Sequence, residues 1–387
     1  MTQYENLTGA ERKLYVAALA QAHGVRIKIS VYDRDEKHEE DLDVRITGGQ
    51  VDCDADADIV RQLSLDCVGD KAGHLTNDKF IRVTYEVEVG VAGLDWVQVP
   101  VFFGPITRTS SDADVYHVEA SSKESLMLPP VWFGYGRAVV DPTTPFPQSL
   151  RAFISMVAQS VGETKLALGH SKGPAISLDR KKWERIAKSD NVWTFLQRLA
   201  RGSNRNLAYR GNGVLALEVR RSGHPRFIFR DGRGGTLVTK PSIAWDMKAA
   251  RNAIRVMGPK TKQSKTPTLR AKWQLPRFNY LSPGSLSRGG APRFLMEIVD
   301  VDAVLSPKQA REIAHTSLNR LATGALDVAF TCLPVPHLEP GDLVAINAEN
   351  FAGRFVLKKY TLPLGLDEMS IGFNRNVSAK GYRGAIR

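Results

Sequence analysis

Apolar residues recur at three-and-four spacing through Leu14, Tyr15, Ala18, Leu19 and Ala22, behind Thr8 and Glu11 at capping-box separation and ahead of Gly24. This pattern predicts an N-terminal helix within residues 1–24. At Val25 the period falls to two: Val25, Ile27, Ile29 and Val31 alternate with polar residues, and the rhythm returns over Asp43 to Ile46 and Arg61 to Leu65. Runs at Phe80 to Val89, Trp96 to Phe103 and Val115 to Glu119 follow, separated by Gly, Asn and Asp clusters, which is the spacing of an antiparallel sandwich or barrel. A first β-barrel-like domain is therefore expected over 25–128.

Pro129, Pro130, Pro142, Pro145 and Pro147 then break the pattern. Proline supplies no donor to a central ladder, so 129–148 reads as a linker. Beyond it, Ser149 caps a helical stripe of Leu150, Phe153, Ile154 and Val157 that stops at Gly162. Asn191 precedes a second stripe, Trp193, Leu196, Leu199 and Ala200, that stops at Gly202. Strand-like runs from Asn206 to Tyr209 and Val214 to Val219 flank Asn212-Gly213, a hairpin turn whose residues tolerate positive φ. Residues 149–239 are thus expected to form a small α+β insert module. Strand character resumes at Phe294 to Val299. A helix over 307–323 follows, with Ser306 as N-cap, Pro307 in its first turn and Gln309 completing a capping box. Leu326 to Thr331, Leu343 to Ile346, Arg354 to Tyr360 and Met369 to Phe373 again alternate, assigning 240–387 to a second β-barrel-like domain. The expected fold class is mainly β with an α+β insert.

Composition adds bounds. The chain has 387 residues, 43% hydrophobic and 24% charged, enough for two or three domains with real cores. Its apolar runs, such as Val97 to Phe103, are far shorter than the roughly 20 residues of a membrane helix, so no membrane span is expected. The polar stretch Met1 to Gly9 lacks a signal-peptide pattern, and synthesis in the cytoplasm is the expectation. Three cysteines, Cys53, Cys67 and Cys332, offer neither a disulfide framework nor a CxxC motif. The net charge of +12 is unevenly placed: residues 1–70 carry 15 acidic and 8 basic side chains, whereas 240–293 carry 12 basic and one acidic. Within the latter, 257–277 has little apolar periodicity and is expected to be a long basic loop.

Candidate chemistry is sparse. Gly169-His170-Ser171-Lys172-Gly173 fits the G-x-S-x-G nucleophile elbow, and a serine hydrolase using Ser171 with His224, His315 or His337 as base is one alternative reading. The α/β alternation expected ahead of such an elbow is missing, and Pro174 follows it. No two histidines stand at i, i+4, and His38-Glu39-Glu40 lacks the second histidine of a zincin. Asp52, Asp54, Asp56 and Asp58 alternate, but an EF-hand begun at Asp52 would place Ala57 and Leu63 where glycine and glutamate are needed. A solvated strand edge or turn fits better. Gly232, Gly234 and Gly235 lack the strand-loop-helix setting of a phosphate cradle. The segment Lys240 to Arg293, with Trp245, Trp273, Phe278 and Tyr280, gives a second alternative, nucleic-acid binding, in which Lys260, Lys262 and Lys265 would take part. No catalytic, cofactor or metal site is expected.

An ordered set of short segments carries a resemblance. Asp43 to Asp52 (DVRITGGQVD) is followed by Ile59 to Leu65, then Val101-Phe102-Phe103-Gly104-Pro105-Ile106, the hairpin Asn206 to Val219, and Arg251 to Gly258. Last comes Leu338-Glu339-Pro340-Gly341-Asp342-Leu343-Val344, before Gly353-Arg354-Phe355-Val356-Leu357. In this order they resemble the baseplate or tail-tip hub proteins of long-tailed bacteriophages, in particular minor tail proteins of actinobacterial phages. The resemblance implies two tail-tube-like β-barrel domains per chain and a homotrimer whose pseudo-sixfold ring closes the tail tube. It further implies a non-enzymatic virion protein assembled in the host cytoplasm. Its partners would be the distal tail or tail tube protein, the tape-measure protein and tail fibre or spike proteins, with nucleic acid only passing through the lumen. The acidic 33–58 and basic 257–277 segments lie outside the resemblance.

Overall fold

The computed structural model describes residues 3–21, 23–91, 93–128, 149–160, 162–169, 192–202, 205–219, 224–245, 250–258, 268–277, 281–300, 307–322, 326–349, 351–365 and 367–376. The chain opens with a single helical turn, α1 (Gln3–Asn6), and α2 (Gly9–Leu19). The expected capping box is formed: the Thr8 hydroxyl accepts from the Glu11 N–H at 3.3 Å, and the Glu11 carboxylate accepts from the Thr8 N–H at 2.7 Å. Tyr15 and Leu19 form its buried stripe.

Seven strands follow: β1 (Val25–Tyr32), β2 (His38–Leu42), β3 (Arg45–Asp54), β4 (Arg61–Val68), β5 (Phe80–Val91), β6 (Leu94–Asp112) and β7 (Val115–Ser121). All their pairings are antiparallel, in the order β3-β4-β7-β6-β5-β1-β2. β6 changes partner along its length: Leu94–Pro105 pairs with β5 and Ile106–Asp112 with β7. The change falls at Gly104-Pro105. A Cβ on Gly104 would lie 2.1 Å from the Ser121 carbonyl oxygen, so only glycine lets the two backbones cross there. β2 has the acidic sequence HEEDL, which no apolar rhythm announces. It is held by register with β1 and by ion pairs such as Lys28–Asp41 at 2.7 Å and Lys79–Glu39 at 2.6 Å.

The middle of the chain forms α3 (Leu150–Ser160), β8 (Leu166–Ala167), α4 (Val192–Gly202), β9 (Arg205–Tyr209) and β10 (Leu215–Val219). The Ser149 cap is formed, its hydroxyl accepting from Ala152 N–H at 3.3 Å. The hairpin turn is also as expected: Gly213 has φ +78, and a Cβ there would strike the Phe103 ring at 2.3 Å. The three strands make their own sheet, β8-β10-β9, over a cluster that includes Phe153, Trp193, Leu196, Tyr209 and Leu215.

The rest comprises β11 (Phe227–Arg230), β12 (Ser242–Trp245), β13 (Ala253–Gly258), β14 (Thr268–Gln274), β15 (Met296–Asp300), α5 (Pro307–Ala322), β16 (Leu326–Cys332), β17 (Leu343–Ala348), β18 (Phe351–Pro363) and β19 (Met369–Asn376). β14 corrects the expected loop at 257–277: Leu269, Ala271 and Trp273 do alternate, but the lysines and arginines between them obscure the period. β13, β14 and β15 form a separate sheet against α5 inside the stretch assigned to the second barrel. β11, inside the stretch assigned to the insert, instead runs parallel to β17.

The main sheet joins both β regions. Its order β12-β16-β19-β18 continues directly into β3-β4-β7-β6, because β18 pairs antiparallel with β3 through Tyr360↔Cys53, Thr361↔Asp52 and Leu362↔Val51. One apolar core runs through the two, from Ile29, Tyr85 and Phe102 to Phe229, Phe355 and Phe373. The architecture is mainly β, two largely antiparallel β regions with small helical modules. The proline-rich stretch, 129–148, lies outside the described residues.

Candidate functional site: a charged joint and open sheet margins

Two cations with side chains only 1% exposed tie the β regions to the β8–β10 module. Arg61, at the start of β4, donates through its guanidinium to the Tyr209 carbonyl oxygen and to the Glu339 carboxylate. Glu339 also accepts from the Gly211 N–H at 3.1 Å. Three distant stretches of chain, first β region, module hairpin and second β region, thus meet on one side chain. Lys123 does the same nearby: its ammonium pairs with Glu163, sits 2.5 Å from Glu36 and donates to the Gly213 carbonyl at 3.2 Å. Its charge also lies 5.2 Å from the Tyr209 ring centroid. Glu36 holds φ +59, in the left-handed region, and its carboxylate pairs with Lys123 and Lys165. Burial raises the Glu124 carboxyl pKa above its ordinary value, where it accepts from the Tyr209 N–H. Removing one member of such a buried pair typically costs about 3–5 kcal/mol, because the other charge is left uncompensated.

Glu339 reaches the joint because the Pro340-Gly341-Asp342 turn aims it. The Asp342 carboxylate accepts from the Glu339 N–H at 3.0 Å and lies 3.2 Å from the Arg226 guanidinium, while Leu357 N–H bonds to the Asp342 carbonyl at 2.8 Å. Beside this turn His337 anchors the N-terminal helices: its Nδ1 is 3.2 Å from the Tyr15 hydroxyl and its ring stacks on Tyr4 at 4.6 Å. Burial, then the charges of Arg226 and Arg12, hold the His337 pKa well below the ordinary 6.5.

The main sheet has margins without a partner strand among the described residues. β12 pairs only with β16. The Ile106–Asp112 part of β6 pairs with β7 alone. Between those margins, β3, β18, β19, β16 and β12 carry a groove of about 770 Å³ with a mixed lining that includes Asp52, Ile59, Lys240, Phe330, Lys359 and Ile371.

The residues singled out from sequence do not assemble into an active centre among the described residues. Ser171 and the rest of its elbow after Gly169 lie outside them, as do Lys260, Lys262, Lys265, Phe278 and Tyr280. His337 is buried in the aromatic cluster, His224 is exposed ahead of β11, and His315 is exposed on α5 beside Trp273. The four aspartates form a strand end and turn: Asp52 accepts from Thr361 at 2.6 Å, Asp54 from the Asp56 N–H at 2.8 Å, and Asp56 pairs with Lys358 at 3.5 Å. Among the described residues no group of three or more His, Cys, Asp or Glu is placed to hold a metal ion. All three thiols are buried and free, with Cys53 pushed by burial up to about 12. Sequence reasoning missed Arg61, Lys123 and Glu339 as a unit; a charged residue at an inward position of an alternating strand, as in Arg61-Gln62-Leu63, was the available signal.

No family model matches the chain, and no curated protein matches it in sequence. Solved structures do. The tail protein from Neisseria meningitidis MC58 superposes with a TM-score of 0.59 at 12% identity, covering 90% of this chain and 96% of that one. The 43 kDa tail protein of prophage MuSo2 from Shewanella oneidensis gives 0.55 at 12%, covering 90% and 98%. Prophage tail protein gp18 from Listeria monocytogenes EGD-e gives 0.55 at 12%, covering 91% and 95%. The chain therefore has the fold of these tail proteins along nearly its whole length.

Proposed function

We propose that this protein is a non-enzymatic structural component of a phage tail tip, a hub whose copies close into a symmetric ring, of the minor tail protein type the sequence resembles. The observation that carries the reading is the internal β18–β3 junction. There, two four-stranded halves, β12-β16-β19-β18 and β3-β4-β7-β6, are already joined edge to edge within one chain. The halves correspond at their ends: β18 and β6 are both long strands that change a partner along their length, β17 giving way to β3 and β5 to β7. Placing the β6 margin of one copy beside β12 of the next would repeat the internal junction between chains and cover two otherwise open edges. Three copies would contribute six half-sheets, matching a sixfold tail tube above, with fibre or spike proteins below and the tape-measure protein in the bore. The functional units in this reading are a first barrel over 25–128, a second built from 227–245 and 326–376, and two helical modules.

Light scattering on the purified chain tests the ring. The expected mass is three times 42.7 kDa. A monomer at all concentrations that never joins tail particles overturns the reading.

A further inference from the structure

The β14-β13-β15 sheet has one face against α5, where Ile254, Val256 and Ala271 pack with Ala310, Ile313, Ala314 and Leu318. A half-covered sheet normally turns polar residues to solvent on its other face. Here the outer face mixes exposed apolar side chains with two cations. Register places Ala253 beside Met296, Arg255 beside Ile298, and Met257 beside Leu269. Ile298 is 58% exposed, Leu269 49% and Met296 38%, with Phe294 at 50% just before β15. In the same face Arg255 stands directly opposite Lys272. Like charges directly opposed across strands are destabilising, and both side chains are exposed. Bare apolar surface and two opposed cations call for the same complement, an apolar surface that brings carboxylates.

We infer that this face is a contact surface for the acidic first β region of a neighbouring copy of the same chain. The inference rests on the ring reading above and names a contact within it. Two observations select that occupant. Residues 240–293 carry 12 basic and one acidic side chain while residues 1–70 carry 15 acidic and 8 basic, so two segments of one chain carry opposite net charge. A ring is built from head-to-tail contacts in which unlike surfaces meet, and a chain with two oppositely charged segments suits that geometry. In addition, β13 follows β12, the sheet margin at which the next copy would arrive, after only the stretch 246–252. The two contacts would be continuous, one through backbone pairing and one through side chains.

The test uses the full-length protein carrying photoreactive benzoylphenylalanine at position 298, the most exposed large apolar position, followed by mass spectrometry of the cross-linked peptides. The expected product joins residue 298 of one chain to a peptide within 25–128 of another. In parallel, R255E/K272E is expected to weaken self-association at least tenfold by light scattering, with R255Q/K272Q between it and the parent. Unchanged thermal unfolding of the glutamine variant shows that folding is intact. A trimeric parent whose cross-links stay within one chain, fall outside 25–128 or capture nucleic acid overturns the contact and leaves the ring standing. A trimer unaffected by either double variant does the same. A monomeric parent overturns both.

Discussion

The two small sheets outside the main one share a plan and differ in fate. In each, a central strand runs parallel to one neighbour and antiparallel to the other: β10 between β8 and β9, β13 between β15 and β14. Each packs one face on helix. The β8-β10-β9 module is then clamped to the rest of the chain by Arg61 and Lys123, and Leu207, Tyr209, Leu215 and Leu217 are all buried. The β14-β13-β15 module places its two cations, Arg255 and Lys272, on an outer face that also carries exposed Ile298 and Met296. The same arrangement thus serves once as an internal brace and once as a surface left open. What separates them is where the charge falls: buried and paired in the first, bare and facing its like in the second.

Breaking the brace has the largest expected effect. Trp193 is fully buried and stacks on Tyr209 with ring centroids 5.9 Å apart, so Trp193→Ala should lower the unfolding free energy by about 3–5 kcal/mol in denaturant titration. A loss under about 1 kcal/mol would mean the module does not contribute to the cooperative unit.

Arg61→Met should cost about 3 kcal/mol, because Glu339, the Gly211 turn and the Tyr209 carbonyl lose their common partner. Adding Glu339→Gln should recover part of that loss, with a coupling of at least about 1 kcal/mol in the double-mutant cycle. Additive losses would show that the joint is not a pair.

A third measurement sharpens the contrast with a buried group held neutral. His337 has a folded pKa below its ordinary 6.5, so the unfolded chain binds its proton more readily. Its contribution is therefore complete above pH 6.5 and shrinks as pH falls below it, by up to about 1.4 kcal/mol per unit. Unfolding between pH 7.5 and 5.5 should show this slope, and His337→Phe should flatten it. An equal slope in both proteins would place the titration elsewhere.

The smallest effect is expected on the open face: Ile298→Ser should change the unfolding free energy of the dissociated chain by no more than about 0.5 kcal/mol. A larger loss would mean that the face is covered within the chain itself.

Much of this was legible from residue order. The capping box at Thr8, the Ser149 cap, the Asn212-Gly213 turn and most strands follow from local rules, since each depends on residues within one or two turns of the chain. Strands whose signal is weak or short were not. β2 is nearly all charge and exists through its ladder with β1, and β14 hides its alternation among lysines and arginines. The joint was legible only as an oddity, a charged residue at an inward strand position. Its partners at Tyr209 and Glu339 lie 148 and 278 residues away along the chain, beyond any spacing rule.

The sequence by itself determined most of the elements, the mainly β class and the separation of an acidic from a basic segment, because backbone preference, burial period and charge are properties of short stretches. Only the tertiary structure decided that β18 would pair with β3, that Arg61 and Lys123 would gather remote segments, and that one small sheet would keep an open apolar face. Those outcomes depend on which distant surfaces compete for the same water-free space, and that competition is settled only when the whole chain is packed at once.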